Sequence, residues 1–140
     1  YTTKDLIDEV IPYLDRIYID LKIFDEEKHE LYTGVSSKII KENISYILTG
    51  PYKEKVIIRT PLIPDMTAQD ENIKAISEYI YSLYNDVKYE LLNYNPLAPS
   101  KYELVGMEYE LKNAKRLNEE QMKHFYELVQ STGLKNIVIE

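Results

Sequence analysis

Residues 17–34 read Ile17-Tyr18-Ile19-Asp20-Leu21-Lys22-Ile23-Phe24-Asp25-Glu26-Glu27-Lys28-His29-Glu30-Leu31-Tyr32-Thr33-Gly34. The opening run, Ile17 to Leu21, is apolar and rich in strand formers, and predicts a short β-strand. Asp20 and Lys22 stand two apart at its end, so both side chains point to the same face. Opposite charges on one face of a buried strand are costly unless they are paired or used. They form either a mutual ion pair capping the strand or a grip for a zwitterionic ligand or a cation. In parallel α/β folds such sites gather at the C-terminal ends of the strands. His29, Thr33 and Gly34 follow as a loop anchor ahead of a helix. His29 lacks partners for a nucleophile or a metal site, since the only other histidine is His124.

Outward from this stretch, helices and strands alternate. Leu6, Ile7, Val10, Ile11 and Leu14 are spaced three and four apart, one apolar helical face, with Thr3 as N-cap. After Gly34, Ser36 or Ser37 caps a second helix whose inner face is Ile39, Ile40, Ile44, Ile47 and Leu48, ended by Gly50-Pro51. Val56 to Ile58 is the next strand, which Pro61 and Pro64 are expected to stop. Thr67 and Asp70 resemble a capping box for a third helix with Ile73, Ile76, Ile80 and Leu83 inward. Tyr89 to Leu92 is a third strand. Residues 93–116 have no clean period and read as a long ordered loop, long enough to suspect function. Asn118 caps a last helix carrying Met122, Phe125, Tyr126 and Val129, which Gly133 stops before a final strand, Ile137 to Ile139.

Helix–strand alternation with short connections implies right-handed βαβ units and a parallel sheet. The strands carry few polar interruptions, as expected when both faces are covered. Four strands do not close an eight-stranded barrel, so the expected fold is α/β, a partial parallel (β/α) barrel or an open α/β sheet, forming one domain over residues 1–140. At 140 residues the chain can bury a real core, and its 44% hydrophobic and 29% charged composition is that of an ordinary globular protein. A net charge of −7 opposes attraction to phosphate backbones, so no nucleic-acid partner is expected. No apolar run is long enough to span a bilayer, so no membrane partner is expected either. The chain contains no cysteine, which excludes disulfides and thiolate metal sites within it and suits a cytoplasmic location. The first residue is Tyr1, so the start reads as processed or cut.

Three further pieces complete a pattern. Residues 57–64 read Ile57-Ile58-Arg59-Thr60-Pro61-Leu62-Ile63-Pro64, with Arg59 at a strand end able to hold a carboxylate or to pair with Asp20. Residues 90–95 read Glu90-Leu91-Leu92-Asn93-Tyr94-Asn95, and residues 101–109 read Lys101-Tyr102-Glu103-Leu104-Val105-Gly106-Met107-Glu108-Tyr109. A tyrosine-rich loop with glycine suits either an interface or packing over a barrel mouth. In this order and spacing the four pieces resemble the C-terminal part of the glycyl-radical-enzyme activating enzymes, the radical S-adenosylmethionine (SAM) family typified by pyruvate formate-lyase activases. The resemblance runs from about residue 15 to the end.

That resemblance implies that the full-length parent holds a 4Fe-4S cluster on a Cys-x3-Cys-x2-Cys loop. It cleaves SAM to a 5′-deoxyadenosyl radical and removes a hydrogen from a backbone glycine of a pyruvate formate-lyase-like partner. It also implies SAM contacts at Asp20, Lys22, Arg59, Pro61 and Asn95, and a monovalent cation held by Asp20 and the Tyr18 backbone. Lys101 and Tyr102 would lie near the glycyl-radical partner. The sequence departs from the family pattern at Asp65, where glycine is usual, and at Asn93 and Asn95, which replace proline and histidine. With the cysteine motif and the Gly-Gly-Glu motif both missing, the reading is a catalytically inactive fragment, itself holding no cofactor, whose unpaired first strand invites self-association. The alternatives are a fragment of another radical SAM enzyme acting on a small molecule and a cysteine-free α/β binding module.

Overall fold

The computed structural model describes residues 2–95 and 114–139. Four strands form one parallel sheet in the order β1-β2-β3-β4: Ile17–Asp20, Val56–Leu62, Lys88–Asn93 and Ile137–Ile139. Among the described residues five α-helices accompany them: α1 Lys4–Val10, α2 Glu26–Thr33, α3 Lys38–Leu48, α4 Asp70–Leu83 and α5 Glu119–Ser131. Because strand order follows chain order and parallel crossovers are right-handed, successive helices land on the same side of the sheet. This is the layout of a barrel segment, with helices outside and a concave face within.

The core lies between helices and sheet. Ile58, Leu62, Tyr89 and Leu91 on one sheet face are fully buried with Ile44 and Leu48 of α3, Ile73, Ile76 and Ile80 of α4, and Phe125 and Val129 of α5. The opposite face carries Tyr18, Asp20, Ile57, Arg59, Pro61, Lys88, Glu90, Leu92 and Val138, of which Ile57, near the start of β2, is buried and the rest are half-buried or exposed. The expectation of two covered faces is therefore corrected. The core-facing side is apolar apart from Thr60 and Asn93, the other side mixes charged and apolar residues, and among the described residues only the core-facing side is packed under helices.

Local chemistry accounts for each element. Asn118 accepts from the Gln121 N–H at 2.9 Å, and the Gln121 side chain accepts from the Asn118 N–H at 3.0 Å, a complete capping box for α5. The expected box at α4 is absent. Its N-cap is Gln69, and Thr67 instead accepts from the Ile63 N–H and donates to the Pro61 carbonyl, closing the loop after β2. Before β1, the Lys55 ammonium donates to the carbonyls of Ile11, Pro12 and Leu14 at 3.3, 3.4 and 2.6 Å, closing the short 3-10 turn Ile11–Tyr13.

Two elements differ from the sequence-based expectation. Residues 26–33 are a helix, not a loop. Asp25 caps it by accepting from the Lys28 N–H at 2.8 Å, Glu26 and Glu27 suit its N-terminal dipole, and Gly34 ends it at φ +74°. Strand β2 also runs through Pro61 to Leu62. The Arg59 carbonyl accepts from Leu21 N–H, so Arg59 and Pro61 turn their backbone groups toward β1. A donor at residue 61 would have met the Leu21 carbonyl, and the Thr60 hydroxyl fills that role at 2.7 Å. The missing N–H thus leaves no acceptor unsatisfied.

Candidate functional site

The site builds up at the C-terminal ends of β1, β2 and β3, on the uncovered polar face. Asp20 and Arg59 are directly opposite in register. Arg59 donates to Asp20 Oδ1 through both Nε and a terminal nitrogen, each at 3.0 Å. The guanidinium also lies over the Tyr18 ring, 4.9 Å from its centroid. Asp20 therefore pairs with Arg59 and not with Lys22. At side-chain exposures of 40% and 32%, the pair is screened by solvent and worth at most about 1 kcal/mol. Its value lies in holding a carboxylate and a guanidinium at a fixed place more than in stability.

Glu90 sits on the other side of Arg59 in register, so Arg59 stands between two acidic strand neighbours and turns its guanidinium toward Asp20. The sequence reading passed over Glu90. Its signal was the alternation of Lys88 and Glu90 with the buried Tyr89 and Leu91. Lys22 follows β1 by two residues, is exposed, and its ammonium has no partner among the described residues. Asp20, Lys22 and Tyr18 line a groove of about 610 Å³ that runs along β1, with an apolar floor of Ile17, Ile19 and Ile40. Pro61 is half-buried two residues past Arg59, and Asn95 is exposed two residues past β3, at the same end of the sheet. Lys101 and Tyr102 lie outside the described residues.

His29 is buried on α2 and sits 2.8 Å from the Val35 carbonyl through Nδ1, which sets Nδ1 as the donor. Thr33 Oγ1 donates to the His29 carbonyl at 2.7 Å. Together they fix the turn between α2 and α3, the anchoring role expected for them. Asn93, where the resembled family has proline, exchanges two hydrogen bonds of 2.9 Å with the backbone of Leu117 and ties the end of β3 to the start of α5. Among the described residues no cluster of acidic and histidine side chains could hold a metal ion.

No protein-family model matches the chain. It is 35% identical over 136 residues, 97% of its own length, to the indoleacetate decarboxylase activating enzyme of Tractidigestivibacter scatoligenes. It is 34% identical over 111 residues to the (2S)-3-sulfopropanediol sulfolyase activating enzyme of Bilophila wadsworthia. Over nearly its whole length the chain is similar to glycyl-radical-enzyme activating enzymes. It spans 42% of the length of the first of these relatives and 36% of the second, so it matches part of an activating enzyme. The fold agrees. The crystal structure of a domain of pyruvate-formate lyase-activating enzyme from Bacteroides vulgatus superposes with a TM-score of 0.77 at 25% identity, covering 99% of this chain and 74% of that one.

Proposed function

We propose that this chain is the C-terminal, SAM-holding part of a radical SAM activase. The complete protein would generate a glycyl radical on a partner enzyme, a decarboxylase, a sulfur–carbon lyase or a pyruvate formate-lyase. The observation that carries the reading is the Asp20–Arg59 pair on the uncovered face, with Lys22, unpartnered among the described residues, lining the same groove as Asp20, in a chain similar to activating enzymes.

The residues present fit SAM. The methionyl end of SAM bears an ammonium and a carboxylate, and this end of the sheet offers the paired Asp20 carboxylate and Arg59 guanidinium, with Lys22 lining the same groove as Asp20. Asp20, with the Tyr18 carbonyl, would take a monovalent cation beside the SAM carboxylate. Lys22 would reach the methionyl or ribose part. The segment Arg59 to Pro61 would face the adenine, and Asn95 offers both a donor and an acceptor. When bound, SAM supplies the hydrogen-abstracting group. The chain's own residues orient it, and their fixed geometry limits the ordering cost of binding.

The residues present do not fit an iron–sulfur cluster, because the chain has no cysteine. The reading assigns the cluster to other parts of the longer protein. The test compares this chain with the complete protein, each incubated with iron, sulfide, a reductant and SAM. The complete protein is expected to release 5′-deoxyadenosine and to leave a glycyl radical, read by electron paramagnetic resonance, on its partner. This chain alone is expected to release none. Turnover by the chain alone, or no SAM cleavage by the complete protein, would overturn the reading.

A further inference from the structure

Lys22 lies in a segment that leaves the sheet, yet its backbone is held almost atom by atom. The Leu21 N–H still joins the ladder by donating to the Arg59 carbonyl at 3.0 Å. Beyond it, side chains from three other elements take over. Thr60 on β2 donates to the Leu21 carbonyl at 2.7 Å. Asn72 on α4 donates to the Lys22 carbonyl at 2.9 Å and accepts from the Phe24 N–H at 2.8 Å. Lys41 on α3 donates to the Phe24 carbonyl at 3.2 Å.

Asn72 is matched to this task. Its second amide hydrogen goes to the Thr67 carbonyl at 2.9 Å, so both donors and the acceptor are used. It joins the loop after β1 to the loop after β2, the two that flank the polar face. Thr60 is equally specific. It is fully buried and accepts from the buried Tyr89 hydroxyl at 2.8 Å while donating to Leu21. Among the described residues no other side chain hydrogen-bonds the Lys22 backbone, and the Lys22 ammonium has no partner.

We propose that Asn72 and Thr60 are positioning residues for Lys22. They fix the backbone on either side of it and so set where its ammonium reaches over the polar face. The proposal rests on the reading of that face as the SAM site. A long side chain on a fixed root loses less freedom on binding, and a small displacement of a binding group has a large effect on affinity.

The test is SAM affinity, measured by calorimetric titration of the complete protein that carries this chain. Lys22→Ala, Asn72→Ala and Thr60→Val are each expected to weaken SAM binding about tenfold. Thr60→Ser, which keeps the hydroxyl, is expected to bind as the wild type does. The deciding measurement is the pair Lys22→Ala and Lys22→Ala/Asn72→Ala. If Asn72 acts through Lys22, the double variant binds no more weakly than Lys22→Ala alone. Equal losses from Asn72→Ala with and without Lys22 would overturn the proposal, as would native affinity in Asn72→Ala and Thr60→Val while Lys22→Ala is impaired. Collapse of the melting temperature in every variant of Asn72 and Thr60, Thr60→Ser included, would assign them a structural role and overturn it too. Native affinity in Lys22→Ala would sink the reading of the site itself.

Discussion

Asp65 holds its backbone at φ +63°, the left-handed region, in the loop that follows β2. The resembled family usually has glycine at this place, the residue that takes up such a conformation without strain. Asp65 instead adopts the left-handed conformation itself, which short polar side chains tolerate better than others. The Ile63 carbonyl accepts from the N–H groups of Met66, Thr67 and Ala68 at 3.2, 3.1 and 3.1 Å, so the turn is closed whatever stands at 65. Asp65→Gly should therefore raise stability, by about 0.5 kcal/mol once the greater freedom of glycine in the unfolded chain is set against the relieved strain. Thermal unfolding checks it, and an unchanged or lower melting temperature would count against strain here. Tyr89 makes a second prediction. Burial pushes its phenol well above the ordinary tyrosine range, against a smaller opposing effect of the hydrogen bond to Thr60. The folded state therefore holds this proton more tightly than the unfolded one. The associated stability is fully present below about pH 10 and is lost as pH climbs above that. Tyr89→Phe should cost about 1 kcal/mol at neutral pH through the lost hydrogen bond and should flatten the alkaline decline. A denaturant titration at pH 8 and pH 11 that gives parallel losses for both proteins would contradict this.

Helices α3, α4 and α5 were legible because each buries an apolar stripe at helical spacing, as Ile73, Ile76 and Ile80 do in α4. Helix α2 was not, because His29 is its only buried residue and the rest is charged or exposed. Its signals were the ends alone, Asp25 and Gly34, and an N-cap without an apolar period is easily read as a loop. Strand β2 was read too short because proline usually ends a ladder, and the exception depends on which neighbour the missing N–H would have faced. The Asp20–Arg59 pairing was open in the sequence, since register between strands 39 residues apart is set by packing. Asn72 and Thr60 could not be read at all, because their partners are backbone groups brought near only by folding. The capping box of α5 was fully legible and carries its own prediction. Asn118→Ala should destabilise the protein by about 1 kcal/mol, measured by chemical denaturation, and Asn118→Asp should be nearly neutral. Equal loss in both variants would show that the cap contributes through something other than its acceptor.

At the scale of the molecule, β1 pairs only with β2 among the described residues, and its other edge opens on the groove. Exposed apolar side chains line that groove: Val10 and Leu14 ahead of the strand, and Val35 just past α2. An unpaired edge flanked by apolar surface invites association. Sedimentation velocity of this chain should show concentration-dependent self-association, and Val10→Lys with Leu14→Lys, both at exposed positions, should abolish it. A monomer at all concentrations, or association that survives both charges, would mean that this edge is not the contact. The central claim, that the uncovered polar face holds SAM, is tested most directly by hydrogen–deuterium exchange on the complete protein with and without SAM. The account predicts protection concentrated in residues 17–24 and 57–62, and around Asn95, with helices α3 and α5 unchanged. Protection elsewhere with these segments unaffected would contradict it.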